Sequence, residues 1–110
     1  KRGNIMITLE DFKKLDIRIG KIISAEKVSE KLIKFIFGIG NEQRQIMAGM
    51  GEFFEDTSKL IGKEMPILLN IKPATFRGYE SQGMIIAADV NGKPILLHPE
   101  KEIPPGSIVR

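Results

Sequence analysis

The segment from Leu15 to Val28 most constrains the fold, because apolar and polar residues alternate along it and a glycine interrupts the alternation at position 20. Alternation with a period of two is the pattern of a β-strand that buries one face. Gly20 has no side chain, so it permits a bulge or a sharp bend at this point. A long first strand that curls at a glycine is typical of small β-barrels.

Short strands are predicted along most of the remaining chain. The pattern predicts a helical turn after Thr8, strands at 32–39, 43–50, 65–71 and 83–90, a short helix within 52–62, a long loop at 72–82, and an Asn91-Gly92 hairpin leading to 94–98. The tail at 103–109 is predicted to be extended, since Pro104 and Pro105 exclude a helix.

This order of elements predicts an all-β fold. Three strands, a helix and then further strands form a five-stranded OB-fold Greek-key barrel with a short helix between strands 3 and 4 and a C-terminal β extension. Folds of this layout bind oligonucleotides and oligosaccharides.

Length and charge limit the organisation of the chain and its partners. The 110 residues fit one domain, which we place at residues 8–110, with residues 1–7 as linker or non-native sequence. Residues 1–51 contain ten basic and six acidic side chains, a net +4, whereas residues 52–110 contain seven and eight, a net −1. Lys1 and Arg2 supply two of the positive charges, so contact with a nucleic acid must come from a local patch.

Residue types that carry catalysis are scarce. The absence of cysteine excludes disulfides, thiol catalysis and cysteine-based zinc sites. The lone histidine, His98, has no obvious carboxylate partner, and the acidic cluster at 52–56 is typical of a solvated helix face. We therefore predict a non-catalytic domain without a cofactor or a metal site. No apolar run approaches the ~20 residues of a membrane span, so we expect no membrane partner and a cytoplasmic location.

The predicted loop within residues 70–84 carries the strongest functional signal, because long loops in small domains are usually functional. The hydroxyl of Ser81 and the amide of Gln82 are groups that bond phosphate or ribose, and Met84 is a side chain that can lie on a base or sugar. Few aromatic residues are available for stacking. Recognition of a folded RNA by shape and backbone is therefore favoured over single-strand binding.

A set of short motifs resembles, in order from about Thr8 to Arg110, the tRNA-binding domain family. The motifs are Asp11-Phe12, the segment 15–22, Lys31-Leu32, Gln45-Ile46 with Gly49, Asn70-Ile71-Lys72-Pro73, Arg77-Gly78 and Ser81-Gln82-Gly83-Met84. The family includes the C-terminal domain or separate β-subunit of methionyl-tRNA synthetase and free-standing tRNA-binding proteins. The resemblance implies an OB-fold that binds tRNA by its overall shape, without catalysis, as a homodimer and in association with an aminoacyl-tRNA synthetase.

The resemblance also implies which residues contact RNA. They are Ser81 and Met84, with Asn70, Lys72 and Arg77 as weaker candidates. The basic N-terminal half of the chain adds three further candidates, Lys31, Lys34 and Arg44.

One departure from the family pattern and two alternatives stay open. Many members carry a His-Pro and extra residues between the first two strands, where this chain has Val28-Ser29-Glu30-Lys31, so part of one binding loop is shortened. A CsaA-like export chaperone has the same barrel and dimer but binds unfolded polypeptide. Such chaperones usually lack the Ser-x-Gly-Met motif that this chain keeps, which favours tRNA. A third alternative is a dimerisation module without an RNA role.

Overall fold

One short helix, α1 (Leu9–Lys13), precedes the first strand in the computed structural model, which describes residues 5–110. Thr8 caps it as predicted, because its hydroxyl accepts a hydrogen bond from the Asp11 N–H and the Asp11 carboxylate accepts one from the Thr8 N–H, both at 3.1 Å. These bonds hold the pKa of Asp11 below its ordinary value, so a negative charge lies at the helix N-terminus, where it is favourable. The expectations for Lys1, Arg2 and the rest of segment 1–4 lie outside the described residues.

A curled antiparallel sheet forms the body of the domain. In chain order the strands are β1 (Ile17–Lys27), β2 (Ile33–Ile39), β3 (Glu42–Ala48), β4 (Glu64–Leu68), β5 (Ala74–Phe76), β6 (Tyr79–Ser81), β7 (Met84–Ile85), β8 (Ala87–Val90) and β9 (Lys93–Leu96). The main sheet has the order β3-β2-β1-β4-β7, and β5–β6 and β8–β9 are separate hairpins. The sheet curls into a half-barrel, so the predicted all-β, OB-like fold is confirmed.

The core lies on the concave face of this sheet. Strand β2 alternates strictly between buried and half-buried residues, with Ile33, Phe35, Phe37 and Ile39 inside. The rings of Phe35 and Phe37 lie 5.5 Å apart between centroids, in a tilted arrangement that aromatic pairs favour. The alternation in the sequence therefore predicts the buried face correctly.

Strand β1 carries a bulge at Ile23, three residues after the predicted interruption at Gly20. The pairing with β2 shifts by one residue between Ile22 and Ser24, which leaves Ile23 as the extra residue. Gly20 serves close packing instead, because a Cβ there would lie 2.8 Å from Cδ1 of Ile39. The position of the bulge differs from the prediction because a bulge depends on pairing with the neighbouring strand, which the pattern of a single strand does not contain.

Two 3₁₀ turns, Gly51–Phe53 and Thr57–Leu60, take the place of the single short helix predicted between the third and fourth strands. The Asp56 side chain caps the second turn by accepting from the Ser58 N–H at 3.1 Å. After the second turn the chain contacts β1, because the Gly62 N–H donates a hydrogen bond to the Ile22 carbonyl at 2.8 Å. A 3₁₀ turn rises more per residue than an α-helix, so it suits a segment that must reach across the barrel.

Two further predicted elements are divided in the structure. The expected loop at 72–82 contains the β5–β6 hairpin, and the expected strand at 83–90 breaks at Ile86 into β7 and β8. The break follows from a change of partner, since β7 pairs with β4 whereas β8 pairs with β9. The predicted Asn91-Gly92 turn is confirmed between β8 and β9.

The C-terminal tail is extended, as predicted, and adds to the edge of β1. The Ile19 N–H donates to the Ser107 carbonyl at 2.9 Å, and the Val109 N–H donates to the Ile17 carbonyl at 2.9 Å. Glu64, which is buried, accepts from the Ile103 N–H at 2.9 Å and so anchors the start of the tail. Among residues 5–110, no helix has the length and apolar character needed to cross a membrane.

Candidate nucleic-acid interface

The β5–β6 hairpin turns at Arg77-Gly78, and this turn sets the position of the arginine. Both residues have positive φ, 51° and 85°. Positive φ at both central residues defines the type I′ turn, whose twist matches that of the flanking strands. Arg77 occupies the strained first position and is exposed, as is Lys72 before the hairpin. The turn thus holds a guanidinium out at the tip of a short, defined hairpin.

Hydrogen bonds fix the base of this hairpin to β3. The Ser81 hydroxyl accepts from the Met47 N–H and donates to the Gly83 carbonyl, both at 3.0 Å, and the residue is only 4% exposed. Gln45 adds a bond from its side-chain amide to the Glu80 carbonyl at 3.0 Å. The hairpin is therefore a rigid extension of the sheet, and Ser81 faces inward rather than toward solvent.

Replacing Ser81 with alanine should destabilise the domain. The substitution leaves the buried Met47 N–H and Gly83 carbonyl without their partner, at a cost of about 1–3 kcal/mol. Chemical denaturation should show this loss, whereas Met84→Ala, at a side chain that is 45% exposed, should change the free energy of unfolding much less. Equal small effects for both variants would contradict the inward role of Ser81.

Asn70 bonds to the backbone between α1 and β1, and Arg44 bonds to the backbone at the two ends of the β4–β7 connection. The Asn70 side chain accepts from the Asp16 N–H at 2.8 Å and donates to the Lys14 carbonyl at 2.6 Å. Nη1 of Arg44 donates to the carbonyls of Leu69 (2.9 Å) and Gln82 (3.1 Å). Both side chains hold the connection in place, and Arg44 also pairs with Glu42 at 3.1 Å.

Lys34 lies beside the hairpin rather than at its tip. Its Nζ is 3.4 Å from the Glu26 carboxylate and 5.5 Å from the centre of the Tyr79 ring. A cation at that distance from an aromatic face is weakly attractive. Lys34 therefore helps to seat β6 over β2, with its charge partly balanced by Glu26.

A cleft of about 660 Å³ opens between the hairpin tip and the first loop, which joins β1 to β2. Its lining residues are Ser29, Glu30, Lys31, Leu32, Gly49, Thr75, Phe76 and Arg77. Lys31 and Arg77, which are 46 positions apart in the sequence, thus border one space, and Phe76 beside them is 45% exposed. We call this space the Lys31–Arg77 cleft.

Internal bonds hold the first loop in shape. The Leu32 N–H donates to the Ser29 hydroxyl at 3.2 Å, and the Gly51 N–H donates to the Lys31 carbonyl at 2.9 Å. The loop is short, as its sequence predicted, yet its backbone is braced from two sides. The backbone that carries the Lys31 side chain is therefore held in a fixed position.

The structure brings two of the eight candidate residues, Lys31 and Arg77, to this cleft and leaves the others outside its lining. Met84 is exposed on β7, opposite Leu68. Phe76 and Gly49 were not among the candidates, although both line the cleft. Phe76 directly precedes Arg77 in the sequence, and this position could have indicated that it lies near the site. Nothing in the sequence places Gly49 near the hairpin.

His98 makes a hydrogen bond that joins two segments of the chain. Nδ1 of His98 donates to the Glu64 carbonyl at 2.7 Å, which ties the segment after β9 to β4. Within the part of the chain that the structure describes, no three His, Asp or Glu side chains gather as metal ligands would.

Comparison with protein families shows the family to which the chain belongs. The family model described as "Putative tRNA binding domain" matches residues 17–108. The chain belongs to this tRNA-binding domain family. It is 55% identical over 105 residues to the methionine–tRNA ligase of Archaeoglobus fulgidus and 45% identical over 105 residues to that of Thermotoga maritima. Each match covers 94% of this chain and 16% of the ligase, so the chain spans only a small part of these relatives.

Solved structures agree on the fold. The MetRS related protein from Pyrococcus horikoshii superposes with a TM-score of 0.89 at 36% identity, covering 96% of this chain and 99% of that one. The chaperone CsaA from Bacillus anthracis superposes with a TM-score of 0.87 at 27% identity, covering 96% and 100%. A tRNA-binding domain related to that of methionyl-tRNA synthetase thus shares its fold with a chaperone, and the side chains must separate the two activities.

Proposed function

We propose that this domain binds tRNA through the Lys31–Arg77 cleft and performs no chemistry itself. The observation that carries the proposal is the meeting of two exposed cations from distant loops in one cleft, which the exposed ring of Phe76 also lines. In OB-folds the loops after strands 1 and 4 are the places where oligonucleotides bind. The first loop and the β4–β7 connection are those loops here.

Phosphate contact is the chemistry that these groups support. Arg77 offers a planar fork of donors for phosphate oxygens, and Lys31 offers a compact point charge. Neither group reads a base, so such contacts position the RNA without selecting a sequence. We propose that Lys72, exposed before the hairpin, extends this backbone contact, and that Ser81, Asn70 and Arg44 act by holding the loop in its shape.

The biological role we propose is to hold tRNA near an aminoacyl-tRNA synthetase in the cytoplasm. A tethered binding module raises the effective concentration of its ligand at a linked enzyme without new chemistry. The similarity to a 16% portion of methionine–tRNA ligases supports this role.

Salt dependence is the test of the proposal. Equilibrium titration with total tRNA should give an affinity that falls linearly, on logarithmic scales, as salt rises, because contacted phosphates release counterions. About two to three contacts from Lys31, Arg77 and Lys72 should give a slope of about −2 to −3. Absence of binding even at low salt would contradict the proposal.

We further propose that the domain forms a homodimer, as its resemblance to the tRNA-binding domain family implies. Large apolar side chains stay exposed near both ends of the described chain, with Met6 89%, Leu9 65% and Ile108 52% exposed. Such side chains favour an interface when they form a patch. Light scattering should give twice the mass of one chain, and a monomer mass would refute the dimer.

A CsaA-like chaperone role is the second candidate, favoured by the structural similarity to CsaA and by the exposed ring of Phe76 in the cleft. A competition experiment distinguishes tRNA binding from a chaperone role. If tRNA is the ligand, an unfolded polypeptide such as reduced, carboxymethylated α-lactalbumin should not displace it at equal concentration.

A further inference from the structure

Gly49, at the end of β3, is a glycine that the fold does not require. A Cβ built at this position meets no heavy atom within 4 Å, and the backbone lies outside the left-handed region that favours glycine. A glycine in such a place costs backbone entropy on folding without any packing benefit. Gly49 lines the Lys31–Arg77 cleft, so the cleft is bordered by bare backbone at this point.

The other walls of the cleft fit two parts of a nucleotide, its base and its phosphate. Phe76, 45% exposed, offers an aromatic face, and base–aromatic stacking is a sequence-tolerant interaction. Lys31 and Arg77 offer positive charge for a phosphate, which lies one sugar away from a base. The cleft volume of about 660 Å³ falls within the range of small-molecule sites.

We propose that this cleft takes one unpaired nucleotide of the bound RNA, with its base over Gly49 against Phe76 and its phosphate between Lys31 and Arg77. The inference rests on the proposed tRNA binding and adds a requirement to it. A base stacked inside a helix cannot enter the cleft, whereas an unstacked base in a loop or at an end can. The domain therefore distinguishes RNA that exposes unpaired bases from a uniform duplex.

The charges favour a nucleotide over a peptide in this cleft. Its lining holds two basic side chains against one acidic side chain, Glu30. Only Thr75 and Phe76 of the lining belong to a strand, β5, and the other lining residues come from the first loop, the turn and the end of β3. An extended peptide that adds to a sheet would need a longer run of unpaired strand edge than these two residues offer. Phe76, which is 45% exposed, supplies the aromatic face of the lining.

Filling the cleft tests the inference without disturbing the fold. Gly49→Leu places a side chain in open space, so its thermal midpoint should match that of the wild type. Gly49 also borders a second cleft of about 290 Å³, on the side of β8, which Ala88 lines. Ala88→Leu fills only that second cleft and is the matched control.

The probes are total tRNA and a blunt, fully paired RNA duplex of about 16 base pairs, the span of a typical duplex-binding domain. Loss of one stacked base should weaken tRNA binding by Gly49→Leu about tenfold or more. Duplex binding should stay unchanged, and Ala88→Leu should bind both RNAs like the wild type. Phe76→Ala should reproduce the tRNA-specific loss, and Phe76→Tyr should restore it.

The outcomes separate this inference from the function on which it rests. If the wild type binds no tRNA, both fail. If Gly49→Leu binds tRNA as tightly as the wild type, or loses tRNA and duplex equally, the nucleotide pocket is refuted while tRNA binding stands. If reduced, carboxymethylated α-lactalbumin competes for the cleft and Gly49→Leu abolishes that competition, the cleft is a peptide site and the inference is also overturned.

Discussion

Replacing Gly51 with alanine is expected to lower the free energy of unfolding by about 3 kcal/mol. A Cβ on Gly51 would lie 2.7 Å from the Glu30 carbonyl oxygen and 2.9 Å from the carbonyl carbon of Lys31. Both atoms belong to the backbone of the first loop, which cannot yield as a flexible side-chain tip does. Overpacking of this kind typically costs 1–3 kcal/mol, and the shift also strains the bond from the Gly51 N–H to the Lys31 carbonyl.

The control for Gly51→Ala lies two residues away. Gly49→Ala places its Cβ in open space and should change stability by less than about 0.5 kcal/mol, or raise it slightly by restricting the unfolded chain. Denaturation in guanidinium chloride measures both variants under the same conditions. A similar effect for the two substitutions would show that the first loop is not packed against Gly51 as described.

Removing both cations of the cleft should produce the largest loss of function. The double variant Lys31→Ala, Arg77→Ala is expected to bind tRNA about 100-fold more weakly at low salt, because each side chain loses a charge-assisted phosphate bond. The slope of affinity against salt should become shallower by about two. Stability should change little, since both side chains are exposed.

A matched loss of charge elsewhere shows whether position matters. Lys59 and Lys93 are exposed and do not line the cleft, so Lys59→Ala, Lys93→Ala removes the same two charges outside the proposed site. This variant should bind tRNA within about threefold of the wild type, as distant charges are screened. Equal losses for the two double variants would mean that net charge, not the cleft, attracts the RNA.

The alternation of residues was enough to predict most of the sheet. The buried face of β2, the helix cap at Thr8 and the turn at Asn91-Gly92 are local patterns, and each is present as predicted. The bulge at Ile23 and the break at Ile86 depend on which strands pair with each other. The sequence pattern of a single strand therefore does not predict them. The type I′ turn at Arg77 was missed because its first residue is not one that usually favours positive φ.

The candidate site was predicted only in part, for a different reason. Polar residues in a long loop can turn outward to a ligand or inward to unpaired backbone groups, and sequence does not distinguish the two. Ser81 and Asn70 bond to backbone, whereas Lys31 and Arg77 find no such partner among the bonds of the described residues and extend outward. Gly49 and Phe76 lie beside these two cations because the hairpin docks on β3, and the sequence does not show this docking.

The most direct test of the central claim is a map of the backbone amides that tRNA perturbs in the isotope-labelled domain by NMR. We predict that the largest chemical-shift changes fall on Ser29–Leu32, Gly49 and Thr75–Arg77, the segments that line the Lys31–Arg77 cleft. Changes confined to α1, to the β8–β9 hairpin or to the C-terminal tail would place the RNA elsewhere and contradict the account.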